Sequence, residues 1–139
     1  LRNHFREDGS AYHIVVYDSA TGRVREHRGG QGYSSTSAWA RGQSWGLYGF
    51  TMCYRETGDA RYLARAVKSA EYILNHPNLP KDGVPYWDFD RPGEERDASA
   101  GAVIASGLLE LSAYVPVNSR AVTCAPRAGF CGASLRTAT

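Results

Sequence analysis

Cysteine is scarce and odd in number. Cys53, Cys124 and Cys131 are the whole complement, with neither an even set for a disulfide framework nor a spacing that would hold zinc. Long apolar runs are missing as well: none approaches the roughly 18 residues of a membrane span, so no membrane partner is expected. Charge of one sign does not dominate either. Sixteen Lys and Arg against 14 Asp and Glu leave a net charge of +2, and the basic residues are scattered, which argues against nucleic acid or anionic lipid. No phosphate-cradling loop, nucleophile elbow or metal motif appears, and no cofactor is expected. The start, Leu1-Arg2-Asn3-His4, has no initiator Met and no signal-peptide pattern. The chain therefore reads as beginning within a longer protein, with the cytoplasm as expected compartment and the periplasm as the alternative. What remains, 42% hydrophobic and 22% charged, is the composition of a soluble globular protein.

The first periodic segment alternates, with Tyr12, Ile14 and Val16 on one side and His13, Val15 and Tyr17 on the other. Asp18-Ser19-Ala20-Thr21-Gly22 then supplies turn chemistry before Arg23-Val24-Arg25, so a short β-hairpin is expected. A helix is expected from about Trp39 to Glu56, stopped at Gly58. Within it Gly42, Gly46, Gly49 and Cys53 form a stripe of small residues, for which close approach of a neighbouring helix is the expected reason. Asp59 opens a second helix to about Asn75, with Leu63, Ala66, Val67, Ala70, Ile73 and Leu74 as its apolar face. His76-Pro77 ends it.

A long connection rich in Pro, Gly, Asp and aromatics follows, and Asp97-Ala98-Ser99 caps a third helix to about Tyr114, with Ala102, Ala105, Leu108, Leu109 and Ser112 near one side. Helix, tight turn, helix, long loop, helix is the rhythm of repeated helical hairpins. After Glu110 no Asp or Glu occurs, and residues 117–139 lack periodicity. That stretch reads as a tail foreign to the fold, the product of a frameshift or a disordered end.

The densest informative run is Trp39-Ala40-Arg41-Gly42-Gln43-Ser44-Trp45-Gly46-Leu47-Tyr48-Gly49-Phe50. Arg41 and Trp45 are four apart at a helix start and share a face, where a guanidinium can pair with a carboxylate while an aromatic plane stacks a sugar ring. The plainer alternative is a core tryptophan and an arginine answering an internal carboxylate. His13 at a strand position reads by itself as a packed histidine. Asp88 and Asp90 are either turn residues, sugar contacts or an acid–base pair, and Asp97 reads as a helix cap.

Taken in order, Asp8-Gly9-Ser10-Ala11-Tyr12-His13, Gln31-Gly32-Tyr33, the Trp39 to Phe50 run, Tyr54-Arg55-Glu56-Thr57-Gly58-Asp59, Pro85-Tyr86-Trp87-Asp88-Phe89-Asp90, Arg96-Asp97-Ala98-Ser99-Ala100 and Leu108-Leu109-Glu110 resemble the unsaturated glucuronyl hydrolases, glycoside hydrolase family 88. The resemblance spans residues 1–116. It implies a mainly α fold, part of an (α/α)6 barrel of six helical hairpins, with the short β-hairpin near the N-terminus. It also implies a reaction in which an aspartate protonates the C4=C5 double bond of a 4,5-unsaturated uronic acid and activates a water that adds at C5. The partner it implies is an unsaturated uronic-acid oligosaccharide left by a polysaccharide lyase.

By the same resemblance His13, Gln31, Arg41 and Trp45 match substrate-binding positions. Arg41 and Gln31 would recognise the uronate, Trp45 would pack the ring, and His13 would hydrogen-bond near the reacting end. The family's two catalytic aspartates would lie N-terminal to this chain, so none is expected within it. One departure is local: Ser34-Ser35-Thr36-Ser37 stand where the family has an acidic residue after the Gln-Gly element. Two other readings are the unsaturated rhamnogalacturonyl hydrolases, which share the fold but carry Arg-Gly-Asn where this chain has Arg41-Gly42-Gln43, and a noncatalytic sugar-binding helical module with Trp45, Trp87 and Tyr86 as its platform.

Overall fold

The computed structural model describes residues 2–115. The proposed tail at 117–139 lies outside them. Two strands and three helices follow one another as β1 (Ile14–Tyr17), β2 (Val24–Arg28), α1 (Ala40–Thr57), α2 (Ala60–Asn75) and α3 (Ala98–Leu111).

The strands pair antiparallel, with Ile14 opposite Arg28 and a register shift at Val16/Tyr17. Their turn is built by Asp18, whose Oδ1 accepts hydrogen bonds from the amides of Ala20 and Thr21 and from the Thr21 hydroxyl. A short polar side chain that bonds its own backbone two or three residues on is what makes Asp a turn former.

Each helix end is written in the sequence. Gly58 adopts φ 67° and returns its N–H to the Tyr54 carbonyl, a left-handed cap that glycine adopts without Cβ strain. Asp59 caps α2 by accepting the Arg61 amide, and Asp97 caps α3 by accepting the Ala100 amide. The third helix stops at Leu111 rather than near Tyr114. Beyond it Ala113 and Tyr114 donate to the carbonyls of Glu110 and Leu111, a tightening to three-residue spacing that closes the last turn.

Helix α1 is the element on which the others rest; α2 and α3 pack against it and barely meet one another. Leu47 and Thr51 of α1, Ala66, Ala70 and Ile73 of α2, and Ala100, Ile104 and Leu111 of α3 are buried together, with Phe89 from the long connection. The buried face of α3 runs through Ala100, Gly101, Ile104, Gly107 and Leu111, whereas Leu109 is 63% exposed and Ala102 faces outward. The expected face was thus rotated. Glycine, not leucine, marks the contact, because at Gly107 the side chain of Leu47 and the backbone of Tyr48 come so close that an added Cβ would sit 3.0 Å and 3.3 Å from them.

The small stripe on α1 requires a second correction. A Cβ at Gly46 or Gly49 would meet nothing within 4 Å among the described residues, and one at Gly42 would meet only the ring of Trp39. These glycines face away from α2 and α3. The close helix approach comes instead from the opposite partner, through Gly107.

Candidate functional site

The N-terminus of α1 is held by the long connection. The Ala40 amide donates to the Trp87 carbonyl and the Phe89 amide to the Ala38 carbonyl, at 2.9 Å and 3.0 Å, so residues 38–40 lie beside 87–89 as a short two-stranded contact. Asp88, fully buried, secures it. Its Oδ2 accepts the Tyr33 amide at 2.9 Å and the Ser37 hydroxyl at 2.7 Å, and its Oδ1 accepts the Asp90 amide at 3.0 Å. Asp90 accepts the Ala38 amide at 3.1 Å. Asp88 is thus fully engaged with backbone and hydroxyl donors of the loop, as a turn-building residue is, whereas Asp90 is exposed and uses one oxygen only. A buried carboxylate is tolerated only when its oxygens are satisfied in this way.

The Ser34–Ser37 stretch folds on itself. The Ser34 hydroxyl accepts the amides of Thr36 and Ser37, and Ser37 reaches Asp88. Hydroxyls therefore build a turn at the position where an acidic residue was noted as missing.

Gln43, one residue beyond the Arg41-Gly42 pair, is 4% exposed and clamps the N-terminal segment. Its Oε1 accepts the Ala11 amide at 2.7 Å and its Nε2 donates to the Ala11 carbonyl at 3.0 Å. A side-chain amide thus mimics a strand partner for Ala11, two residues before His13.

Trp39, which flanks the helix start, is the residue that joins the candidates. The His13 ring lies 4.4 Å from the Trp39 ring, tilted by 33°, and the Arg41 guanidinium carbon lies 5.7 Å from it, within cation–π range. Gln31 is tied to His13: Nδ1 of the histidine is 2.7 Å from the Gly29 carbonyl oxygen and 2.9 Å from the Gln31 amide nitrogen. One nitrogen cannot donate and accept at once. A protonated Nδ1 donates to Gly29, and a bare one accepts from Gln31, so the tautomer chooses the partner. Nε2 of His13 hydrogen-bonds no described residue. The backbone here needs Gly30, with φ 58°, since a Cβ would fall 2.5 Å from Nδ1 of His13.

Arg41 meets an internal carboxylate after all. Its Nε and Nη2 lie 3.1 Å and 3.0 Å from Oδ2 of Asp97, so α1 and the cap of α3 are joined by one ion pair. The pairing is one-sided, because Asp97 is 5% exposed and Arg41 is 44% exposed. Trp45 is 53% exposed, one turn further along α1, and meets the Tyr48 ring edge-on at 6.1 Å. It is not a core residue. Gln31 is exposed, and its side-chain amide bonds no described residue.

The structure thus brings His13 and Arg41 to Trp39, with Gln31 tied to His13 through its backbone amide and Trp45 standing open one turn further along the helix. Trp39 was quoted in the motif but not assigned a role; its place between two other candidates leaves no periodic trace in the sequence. Trp87 and Tyr86 are committed elsewhere, the first donating to Glu94 at 2.7 Å and the second lying 5.3 Å from the Arg96 guanidinium. No ring contact joins either to Trp45, so the aromatic platform is not assembled among the described residues. No three His, Cys, Asp or Glu side chains gather there as a metal ion would need.

Known proteins give this geometry a family. The chain is 47% identical over 117 residues to the unsaturated glucuronyl hydrolase of Formosa agariphila, and 40% identical over 117 residues to the unsaturated chondroitin disaccharide hydrolase of Streptococcus agalactiae. Each match covers 82% of this chain and 29% of the relative. A solved structure of an unsaturated glucuronyl hydrolase specific for heparin superposes with a TM-score of 0.80 at 50% identity, covering 82% of this chain and 32% of that one. The chain's curated and solved-structure homologues are unsaturated glucuronyl hydrolases. Its three helices and hairpin are part of their (α/α)6 barrel. No family model matches the chain. The chain spans about three tenths of the length of the relatives it matches.

Proposed function

We propose that this segment forms one wall of a pocket for a 4,5-unsaturated glucuronyl residue, in a protein that hydrates the C4=C5 bond of lyase-generated oligosaccharides. The observation that carries the reading is the pairing of an open guanidinium with an open indole one turn apart on α1. Arg41 spends its Nε and Nη2 on Asp97 and leaves Nη1 without a bond to any described residue. A guanidinium fork of this kind matches a carboxylate, and an exposed indole offers an apolar plane to a sugar ring.

In this reading Arg41 grips the uronate carboxylate and the Gln31 amide meets a ring hydroxyl. Trp45 packs the sugar face. His13 presents Nε2 to the reacting end, with its ring packed on Trp39 and its Nδ1 turned to Gly29 and Gln31. Protonation of the double bond and activation of water need a carboxyl group near the substrate. The carboxylates that the site's own residues touch, Asp88 and Asp97, are held by backbone amides, a hydroxyl or Arg41. The proton-handling aspartates are accordingly assigned to parts of the protein outside this segment.

The test is Arg41→Ala in the full-length protein that carries this segment. For an unsaturated glucuronyl disaccharide kcat/KM should fall by roughly ten-fold to a hundred-fold, mainly through KM. Unchanged kinetics in a folded variant would remove Arg41 from the pocket.

A further inference from the structure

Asp97 uses its two oxygens for two separate purposes. Oδ1 accepts the Ala100 amide at 2.9 Å and caps α3. Oδ2 accepts both Nε and Nη2 of Arg41. The residue is itself anchored through its backbone, with its amide donating to the Pro85 carbonyl at 2.9 Å and its carbonyl accepting the Gly101 amide at 3.0 Å. A carboxylate that is 5% exposed and fixed at both backbone positions is a rigid peg.

The edge of the guanidinium that Asp97 holds decides what is left over. Arginine can meet an anion side-on, through Nε and Nη2, or end-on, through Nη1 and Nη2. Asp97 takes the side-on edge. The end-on edge stays available, and Trp39 stands 5.7 Å from the guanidinium carbon, limiting its swing. An arginine anchored at one edge has given up its rotamer freedom before a ligand arrives, so binding does not have to order it.

We propose that Asp97 is a positioning residue, which holds Arg41 by its side-on edge so that the end-on edge is presented ready-made to the carboxylate of an unsaturated uronate. This rests on the pocket reading given above. It goes beyond that reading by assigning the orientation of the arginine, and with it selectivity for the uronate carboxylate, to a residue that meets no substrate.

A single substitution separates the capping role from the positioning role. In Asp97→Asn the remaining carbonyl oxygen can still cap α3, because Asn and Asp serve equally well at a helix N-cap. The atom facing Arg41 becomes an NH2 donor, which cannot accept from a guanidinium. In the full-length protein that carries this segment, KM for an unsaturated glucuronyl disaccharide should rise about ten-fold. The melting temperature should stay close to that of the parent. The methyl ester of the same disaccharide, measured as substrate or inhibitor, should bind the two proteins alike, since it offers no carboxylate to grip. A KM equal to that of the parent with the acid, or equal losses for acid and ester, would overturn the proposal while leaving the hydrolase reading intact. Absence of turnover by the unaltered full-length protein would overturn that reading and this proposal with it. If Asp97→Asn does not fold, Asp97→Ser keeps a capping oxygen on a side chain too short to reach Arg41, and the same acid-against-ester comparison decides.

Discussion

Some residues here are legible one at a time and others only through their neighbours. Gly58, Asp59 and Asp97 announce helix ends because capping is local chemistry, settled within three or four residues of the chain. Trp39 and Asp88 do their work across 26 and 55 positions, toward His13 and Tyr33, and no spacing rule reaches that far. His76 belongs with the second kind. Its ring packs against those of Tyr72 and Phe89, at 5.2 Å and 4.8 Å, and its Nδ1 accepts the Asn78 amide at 3.2 Å. Burial among these rings pushes its pKa down, against the opposing pull of Asp90, Asp8 and Asp88. The unfolded chain keeps the ordinary value, so between the ordinary value and the lower folded one the unfolded state binds more protons. Stability is then complete above the ordinary histidine range and declines as pH falls through it. Thermal melts from about pH 7 to about pH 5 should show a Tm loss of a few degrees that is smaller in His76→Phe. Parallel curves for the two proteins would show that His76 has no part in the acid response.

At the scale of elements, existence was readable, and length too except at the end of α3, while orientation was not. The apolar stripe of α2 is dense enough to name its own buried face, and Ala66, Ala70 and Ile73 are where the pattern puts them. Helix α3 is apolar nearly all round, so its pattern favours no face, and the choice falls to whichever side lets α1 come closest. Glycine spacing on α1 was misleading for a related reason, since small residues tell that something is spared but not which helix benefits. A paired substitution measures the difference. Gly107→Ala puts a Cβ 3.0 Å from the Leu47 side chain and 3.3 Å from the Tyr48 backbone, and should destabilise the chain by about 1–3 kcal/mol. Gly49→Ala meets nothing within 4 Å among the described residues and should gain up to about 1 kcal/mol from helix propensity. Urea titrations of the two variants of this 139-residue chain check both signs at once. Destabilisation by Gly49→Ala as large as that of Gly107→Ala would mean that the outward face of α1 is covered.

At the scale of the whole molecule, the family was legible because its motifs keep their order along the chain, and the fold followed from them. The division of labour in the site was legible only in part. A resemblance can place Arg41 and His13 on a substrate, but it cannot say what holds them, and the structure answers with Trp39 and Asp97. It also bears on how far this segment can go by itself. Binding groups and catalytic groups act on different terms: a wall that grips a uronate lowers KM, whereas the reaction needs a proton delivered to a carbon and a water activated beside it. The two buried carboxylates beside the candidate residues, Asp88 and Asp97, have their oxygens turned to backbone amides, to Ser37 or to Arg41, and neither is free to carry that proton. The 139-residue chain alone should therefore leave the ultraviolet absorbance of an unsaturated glucuronyl disaccharide unchanged, at protein concentrations where the full-length protein consumes it. Clear turnover by the chain alone, abolished by Asp88→Asn or Asp97→Asn, would mean that one of these buried carboxylates is the acid after all and that its hydrogen bonds rearrange when substrate enters.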